Sequence, residues 1–167
     1  MTIKVGINGF GRMGRLTLRA ALDWPEIEFI KINDVAGDAK THAHLLEFDS
    51  VHGRLAHNVT ASAHSFSVGK HTIAVTNNKN IDDTDWSDCD VVIEASGVMK
   101  TTELLNHYLA QGVKRVVVTA PVKEDGILNV VMGINDDLYN PDEHKIVTAA
   151  SCTTNCLAPI VKVLQEK

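Results

Sequence analysis

Apolar residues along the chain follow two periods, one typical of strands and the other of helices. Residues 3–8 alternate between apolar and polar positions as a strand does, and residues 12–22 repeat apolar side chains at helical spacing before Pro25. A second strand is predicted at residues 29–34. Strand, turn, helix and strand thus follow one another within about thirty residues, which is the size of a βαβ unit.

The same alternation continues along the rest of the chain. Helices are predicted at residues 41–48 and 101–110, and an antiparallel hairpin is predicted over residues 59–75. Further short apolar strands are predicted at residues 90–94, 115–119, 128–132 and 146–148. Strands that alternate with helices favour an α/β fold, here a Rossmann-type doubly wound sheet of mostly parallel strands.

The last segment of the chain predicts a new helix over residues 151–167. Its apolar side chains share one face, and Pro159 is expected either to kink this helix or to lie in its first turn. Nothing earlier in the sequence is left over to cover that apolar face. We therefore expect residues 1–150 to form one domain. Residues 151–167 are expected to form the first helix of a second, catalytic domain, and the rest of that domain is expected to lie outside the 167 residues.

Composition and charge narrow the classes of partner. The hydrophobic content of 44% and the charged content of 22% are typical of a globular protein. The formal net charge of −5 makes the chain a poor binder of phosphate backbones, so no nucleic-acid partner is expected. No apolar run is long enough for a bilayer and no leader segment is visible, so we expect a cytoplasmic protein without a membrane partner.

The stretch VGINGFGRMGR carries a candidate dinucleotide-binding turn between the first strand and the first helix. Gly9 suits the tight turn, Gly11 a close approach of the backbone to a pyrophosphate, and Gly14 the packing of helix against strand. Asp34 follows about twenty residues further on, at the end of the second strand, where a carboxylate binds ribose hydroxyls. A carboxylate there favours NAD and repels the 2′-phosphate of NADP. A glycine-rich turn with no ligand is the alternative.

The stretch ASCTTNC is a second candidate site. Cys152 lies where a strand ends and a helix begins, and a helix N-terminus stabilises a thiolate. The hydroxyls of Ser151 and Thr153 flank it and could bind an anion. A buried, inert cysteine is the alternative. Three cysteines in all do not suggest a disulfide scaffold, and their spacing, like that of the histidines, fits no metal site.

Several stretches together resemble the glyceraldehyde-3-phosphate dehydrogenase family across the whole chain. They are INGFGRMGR, the Ile32-Asn33-Asp34 triplet, HLLEFDSVHGR, the segment from Glu94 to Gly97, the segment from Thr119 to Pro121, VMGIN and ASCTTNCLAP. The last of them is highly specific. The resemblance raises the catalytic interpretation of Cys152 above the inert one, and it assigns Cys89 no role beyond the structural one that its sequence context suggests.

The family resemblance implies a covalent mechanism. The Cys152 thiolate would attack glyceraldehyde 3-phosphate, hydride would pass to NAD, and inorganic phosphate would release 1,3-bisphosphoglycerate from the thioester. The substrate and phosphate contacts would be Ser151, Cys152 and Thr153. The cofactor contacts would be Gly9, Phe10, Gly11, Arg12, Met13, Gly14, Asn33, Asp34, Lys79, Ser96, Gly97 and Thr119. The resemblance also implies a homotetramer for the full-length protein.

Some positions depart from the family pattern, and some family residues are absent. Met13 stands where isoleucine is usual, Thr119 where serine is usual, and Lys79 where the family often has arginine. The family's histidine base belongs to a part of the sequence beyond residue 167, so the 167 residues alone are expected to be inactive. A paralogue that uses erythrose 4-phosphate, or arsenate in place of phosphate, stays open, as does a nucleotide-binding module without catalysis.

Overall fold

A sheet of nine strands forms the centre of the computed structural model, which describes residues 2–166. The strands of the chain are β1 (Ile3–Asn8), β2 (Ile27–Asn33), β3 (Phe48–Asp49), β4 (Gly53–Arg54), β5 (Val59–Ala61), β6 (Ser65–Val68), β7 (His71–Thr76), β8 (Val91–Glu94), β9 (Arg115–Val118), β10 (Leu128–Asn129) and β11 (Ile146–Thr148). The helices are α1 (Arg12–Ala21), α2 (Ala39–Glu47), α3 (Thr102–Ala110) and α4 (Cys152–Glu166). Short 3₁₀ helices lie at Ile81–Asp83 and Asp136–Leu138.

The order of the strands confirms the predicted doubly wound sheet. They lie side by side as β10-β11-β9-β8-β1-β2-β7-β6-β5, and all pairs from β10 to β7 are parallel. The segment predicted as a hairpin forms three strands, β5 to β7, paired antiparallel. Its last strand also joins β2 in parallel, so the excursion extends the main sheet. Strands β3 and β4 form a separate small antiparallel pair.

Two apolar cores cover the two faces of the sheet. Leu18 of α1 and Leu46 of α2 pack in one core with residues of β1 and β2. Leu105 and Tyr108 of α3 pack in the other core with Trp86 and with residues of β8 and β9. Helices on both faces of a parallel sheet bury its strands on both sides, as the apolar runs of the sequence require.

One predicted strand is much shorter than expected. Of residues 128–132, only Leu128–Asn129 pair as a strand. The chain turns at once because the Asn135 side chain engages the backbone there: its Oδ1 accepts the Val131 N–H at 2.7 Å, and its Nδ2 donates to the Asn129 carbonyl at 3.0 Å. These bonds satisfy backbone groups that a continued strand would have paired with a neighbour.

The final helix begins at Cys152, close to the predicted start, and Pro159 lies in its interior, so the first-turn alternative for this proline is wrong. No residue of α4 is buried. Leu157, Ile160, Val161 and Leu164, predicted to share one face, are all exposed. Lys167, the end of the predicted helix, lies outside the described residues. Within residues 2–166, no helix is long and apolar enough to cross a membrane.

Candidate functional site

Two positions in the turn between β1 and α1 accept only glycine. Gly9 has a φ of +88°, and a Cβ there would lie 2.4 Å from the backbone nitrogen of Ser96. A Cβ on Gly14 would lie 2.2 Å from the carbonyl oxygen of Gly9. The first of these contacts brings the β1–α1 turn against the turn that follows β8, and the second brings α1 against the end of β1, as the dinucleotide fingerprint requires.

The N-terminus of α1 faces open space. Gly11 is its N-cap residue, without a side-chain cap, and a Cβ on Gly11 would have no protein atom within 4 Å beyond those of its two neighbouring residues. Arg12 and Met13 in the first turn are exposed, and the guanidinium of Arg12 lies 3.4 Å from Asp49. Helix N-terminal N–H groups that face an open space can bind phosphate oxygens.

Asp34 connects the acidic position of the fingerprint to its glycine turn. One carboxylate oxygen accepts the Phe10 N–H at 2.6 Å, and the other accepts the Ala36 N–H at 3.0 Å. The Phe10 side chain itself is buried in the core, so only its backbone faces this site. The Asp34 carboxylate is therefore fixed in place, while each of its oxygens retains a lone pair for a ligand hydroxyl.

A cavity of about 200 Å³ lies between these turns. The predicted cofactor residues among its lining are Gly9, Asn33, Asp34, Lys79 and Ser96. The lining residues that the sequence did not single out are Asn8, Val35, Asn78, Ala95, Val98 and Met99. We call this cavity the nucleotide groove. Apolar side chains such as Val35 and Val98, which are both exposed, add an apolar wall that the motif alone did not identify.

Asn33 is the predicted cofactor residue whose side chain is already engaged. It is buried, and its Nδ2 donates to Asn8 Oδ1 at 2.8 Å and to the Asn78 carbonyl at 2.9 Å. Its Oδ1 accepts the Thr76 hydroxyl at 2.8 Å. Asn33 thus lies in the floor of the nucleotide groove and bonds to the protein with both ends of its amide.

Thr119 and Gly97 lie beside the groove without lining it. The Thr119 N–H and hydroxyl both donate to the Glu94 carbonyl, at 2.9 and 3.2 Å. Gly97 is exposed in the turn after β8, with a φ of +77°. Strands β8, β9 and β11 are parallel to β1, so the turns that follow them leave the same edge of the sheet.

His42 lies behind the loop that carries Asp34. It is 3% exposed. Its ring contacts Phe10 edge-on at a centroid distance of 5.5 Å, and a Cβ on Gly37 would lie 3.2 Å from it. Burial lowers the pKa of His42, and Arg15 lowers it further, while Asp34, the backbone of Ala36 and Asp38 oppose this shift. The neutral imidazole is therefore the form favoured in the folded protein.

The turn that carries Cys152 begins with a strained residue. Ala150 has a φ of +54°, in the left-handed region that residues other than glycine rarely adopt. The Asn155 side chain donates to the carbonyls on either side of it, Ala149 at 2.8 Å and Ser151 at 2.9 Å. The Ala150 N–H donates to the Thr148 hydroxyl at 3.0 Å. These bonds stabilise the turn from β11 into α4.

Cys152 occupies the first turn of α4 and is exposed, as is Cys156 one turn later. The Ser151 hydroxyl accepts the Thr154 N–H at 3.0 Å and so caps the helix, and it lies 3.0 Å from the Thr153 hydroxyl. Cys89 is different because it is buried, and burial, with the nearby charge of Asp88, raises the pKa of its thiol to about 12. The predicted structural role of Cys89 agrees with this burial.

Acidic, histidine and cysteine side chains do not gather into a metal site in the described part of the chain. Among residues 2–166, no group of three or more such side chains is placed to bind one ion. The histidines of α2 and of the segment after it have different surroundings, so they do not form one cluster. His42 is buried, His44 contacts Phe48, and His57 pairs with Asp23.

Comparison with known proteins identifies relatives of this sequence. The family model described as glyceraldehyde 3-phosphate dehydrogenase, NAD binding domain, matches residues 3–102. The chain is 52% identical to glyceraldehyde-3-phosphate dehydrogenase 3 of Nostoc sp., over 99% of the chain and 50% of that protein. It is 44% identical to the glyceraldehyde-3-phosphate dehydrogenase of Geobacillus stearothermophilus, over 100% of the chain and 50% of that protein. The chain thus spans about half the length of the curated relatives it matches. The predicted resemblance and the prediction of NAD as cofactor are confirmed.

Proposed function

The chain belongs to the glyceraldehyde-3-phosphate dehydrogenase family and carries its NAD-binding domain, and from this premise we propose that it takes part in the phosphorylating oxidation of glyceraldehyde 3-phosphate. In this proposal residues 1–150 bind NAD. Residues 151–167 bring the catalytic cysteine and open a catalytic domain. The observation that carries the proposal is the 2.6 Å bond between Phe10 and Asp34, which joins the acidic residue of the fingerprint to its glycine turn.

The nucleotide groove and the N-terminus of α1 together fit NAD. The space beside Gly11 is open and adjoins the N–H groups of Arg12 and Met13, which would bind the pyrophosphate. Asp34 would accept hydrogen bonds from the adenosine ribose, and Lys79 lines the same cavity. Ser96, Gly97 and Thr119 would contact the cofactor from the neighbouring strand ends. When bound, NAD supplies the hydride acceptor.

Cys152 would act as the nucleophile. Its thiolate would form a C–S bond to the aldehyde carbon, giving a thiohemiacetal. Loss of the hydroxyl proton to a base and of hydride from the same carbon would leave a thioester. An oxygen of inorganic phosphate would then attack the thioester, the C–S bond would break, and 1,3-bisphosphoglycerate and the thiolate would be released. The hydroxyls of Ser151 and Thr153, at the N-terminus of α4, would bind the phosphate groups.

The proposed roles divide the chemistry between this chain and the rest of the enzyme. In this proposal the 167 residues bind NAD and carry the reactive thiol, and the general base is a residue outside them. Loss of a general base lowers a rate by about a hundred- to ten-thousand-fold. We therefore expect the 167 residues alone to bind NAD and to show little or no turnover.

A calorimetric titration with NAD tests the groove. Asp34→Ala is expected to weaken NAD binding by about tenfold or more, since a hydrogen bond to a charged group contributes about 1.5–3 kcal/mol. Asp85→Ala is the matched control, because Asp85 also accepts a backbone N–H, from Ser87, but lies outside the cavity. Equal affinity of the wild type and Asp34→Ala for NAD would refute the assignment of Asp34.

Alkylation of the cysteines tests the nucleophile separately. Iodoacetamide is expected to modify Cys152 at least about tenfold faster than Cys156 at neutral pH, because only Cys152 lies in the first turn of the helix. Both thiols are exposed, so access does not separate them, and buried Cys89 reports any unfolding. Equal rates at Cys152 and Cys156 would favour a nucleotide-binding module without catalysis.

A further inference from the structure

Polar side chains form a continuous row beneath the nucleotide groove. Asn8, Asn33, Thr76 and Glu94 are the last residues of β1, β2, β7 and β8, and each is in register with its neighbour across the sheet. Their side chains bond sideways in the order Glu94, Asn8, Asn33 and Thr76, with each bond at 2.8 Å. We call this row the polar ladder. It joins the ends of four neighbouring strands at the edge of the sheet where the groove lies.

Glu94 terminates the polar ladder, and its carboxylate bonds to strand β1, to helix α3 and to the turn that follows β8. It is 1% exposed. One carboxylate oxygen accepts the Asn8 amide at 2.8 Å and the Tyr108 hydroxyl at 2.5 Å, and the other accepts the Ser96 N–H at 2.8 Å. Within residues 2–166, no ion pair includes Glu94. A buried carboxylate without a cation needs all of these donors. The donors therefore fix the position of the carboxylate, and the carboxylate fixes the positions of the donors.

The bonds of Glu94 determine how the two turns of the groove meet. Through Asn8 it fixes the end of β1, directly before Gly9, and through the Ser96 N–H it fixes the turn after β8. These turns touch, since a Cβ on Gly9 would lie 2.4 Å from the Ser96 nitrogen and 2.6 Å from the Ala95 carbonyl carbon. A shift of either turn would therefore change the shape of the groove.

We propose that Glu94 is a positioning residue for NAD: it binds Asn8, Tyr108 and the Ser96 N–H and thereby sets the spacing between the glycine turn and the Ser96–Gly97 turn. Glu94 itself does not line the cavity, so it acts through the residues that do. The role rests on the proposed placement of NAD in the nucleotide groove.

Tyr108 makes this role testable without removing the carboxylate. Burial, and then the negative charge of Glu94, raises the pKa of Tyr108, so its hydroxyl remains a donor across the ordinary pH range. It also accepts the Asn8 amide at 2.7 Å, and it packs edge-on against Trp86. Tyr108→Phe removes the hydroxyl and leaves the ring, so it loosens the ladder while the packing of α3 is retained.

The experiment compares NAD affinity among variants that are fully folded. Tyr108→Phe is expected to raise the Kd for NAD about fivefold, and Glu94→Gln about tenfold or more, because a glutamine amide would leave at least one buried donor unpaired. Tyr139→Phe is the chemical control, since the hydroxyl of this exposed tyrosine bonds to Arg115, away from the groove. Leu105→Ala is the stability control, because it lowers the stability of α3 without touching the polar ladder.

Controls within twofold of the wild-type Kd, together with the expected losses, support the role. Wild-type affinity in folded Tyr108→Phe and Glu94→Gln would overturn it, and so would an equal loss in Leu105→Ala, which would mean a general effect of stability. Asp34→Ala is measured in parallel. If Asp34→Ala binds NAD normally, the placement of NAD is wrong, whereas a normal dependence on Asp34 with unaffected ladder variants refutes the role of Glu94 alone.

Discussion

The nucleotide groove and the Cys152 turn leave the same edge of the same sheet, yet the chain supports them differently. The groove rests on buried side chains, among them Asn8, Asn33 and Glu94, whose polar atoms bond to one another across neighbouring strands. The Cys152 turn relies on bonds within a few residues, made by Ser151 and Asn155. Helix α4 behind it has no buried residue.

This difference separates two ways of preparing a site. Long-range bonds between strand ends make the shape of the groove depend on the whole sheet, so a small change there acts on several elements at once. A capped helix terminus acts locally, because its dipole and free N–H groups depend on the first turn alone. We therefore expect binding of NAD to respond to changes in the sheet, and the reactivity of Cys152 to respond to changes in its own turn.

The largest expected effect is that of Gly9→Ala. The added Cβ would meet the Ser96 backbone at 2.4 Å, and alanine at a φ of +88° is disfavoured by about 1–2 kcal/mol. NAD affinity is expected to fall about a hundredfold or more, measured by calorimetry, because the two turns must separate. Gly11→Ala sharpens the test: its Cβ would meet no atom beyond the two neighbouring residues, so it should lower the melting temperature only by the small cost of alanine at an N-cap, while NAD binding weakens.

The contrast would fail if Gly9→Ala, once shown to be folded by circular dichroism, bound NAD as tightly as the wild type. It would also fail if this variant changed the alkylation rate of Cys152 as strongly as the affinity for NAD. Either result would mean that the two regions are coupled or that the groove tolerates separation of its turns.

A smaller effect is expected from Ser151→Ala, which acts on the other region. Loss of the cap on the Thr154 N–H should lower the stability of the first turn of α4 by about 1 kcal/mol. Amide hydrogen exchange at residues 153–155 should therefore quicken, and the alkylation rate of Cys152 relative to Cys156 should fall severalfold, while NAD affinity stays within twofold. Thr153→Val is the control because, within residues 2–166, the Thr153 hydroxyl bonds only to the Ser151 hydroxyl and to no backbone N–H. Unchanged exchange in Ser151→Ala would contradict this account.

The smallest expected effect is a dependence of stability on pH, and it comes from His42, which lies behind the nucleotide groove. Because burial lowers the pKa of His42 below its ordinary value of 6.5, the unfolded chain binds a proton there more readily than the folded one. Stability attributable to His42 is thus present above pH 6.5 and decreases as the pH falls through the window below it.

Urea unfolding at pH 7.5 and pH 5.5 measures how much His42 contributes to the free energy of unfolding at each pH. His42→Leu should lose less stability on acidification than the wild type, and His64→Gln, at an exposed position, controls for loss of a histidine. An equal loss in the wild type and His42→Leu would remove His42 from the explanation.

The sequence predicted the parts of the molecule that depend on local pattern. Alternating apolar residues placed β1 and β2 to within a few residues, and glycine and aspartate spacing predicted the turn and its acidic partner. Residues 128–132 were the main exception, since the Asn135 side chain shortens the strand by a bond that no periodicity reveals. The roles of the predicted site residues stay predictions, to be decided by the experiments on Asp34 and Cys152.

Other parts of the site had only a weak signal. Asn8 and Glu94 each stand as a polar residue at the end of an apolar strand, which is the pattern that could have identified the polar ladder. Tyr108 lies on α3, far along the chain, and nothing local connects it to Asn8 or Glu94.

By itself, the sequence determined the βαβ unit, the fingerprint turn and the position of Cys152 at a helix start, because each of these depends on residues that are close together along the chain. Only the tertiary structure decided that Glu94, Asn8, Asn33 and Thr76 meet in one row, and that Gly9 touches Ser96. Those contacts depend on the order and register of parallel strands, which are set by packing between segments distant in sequence.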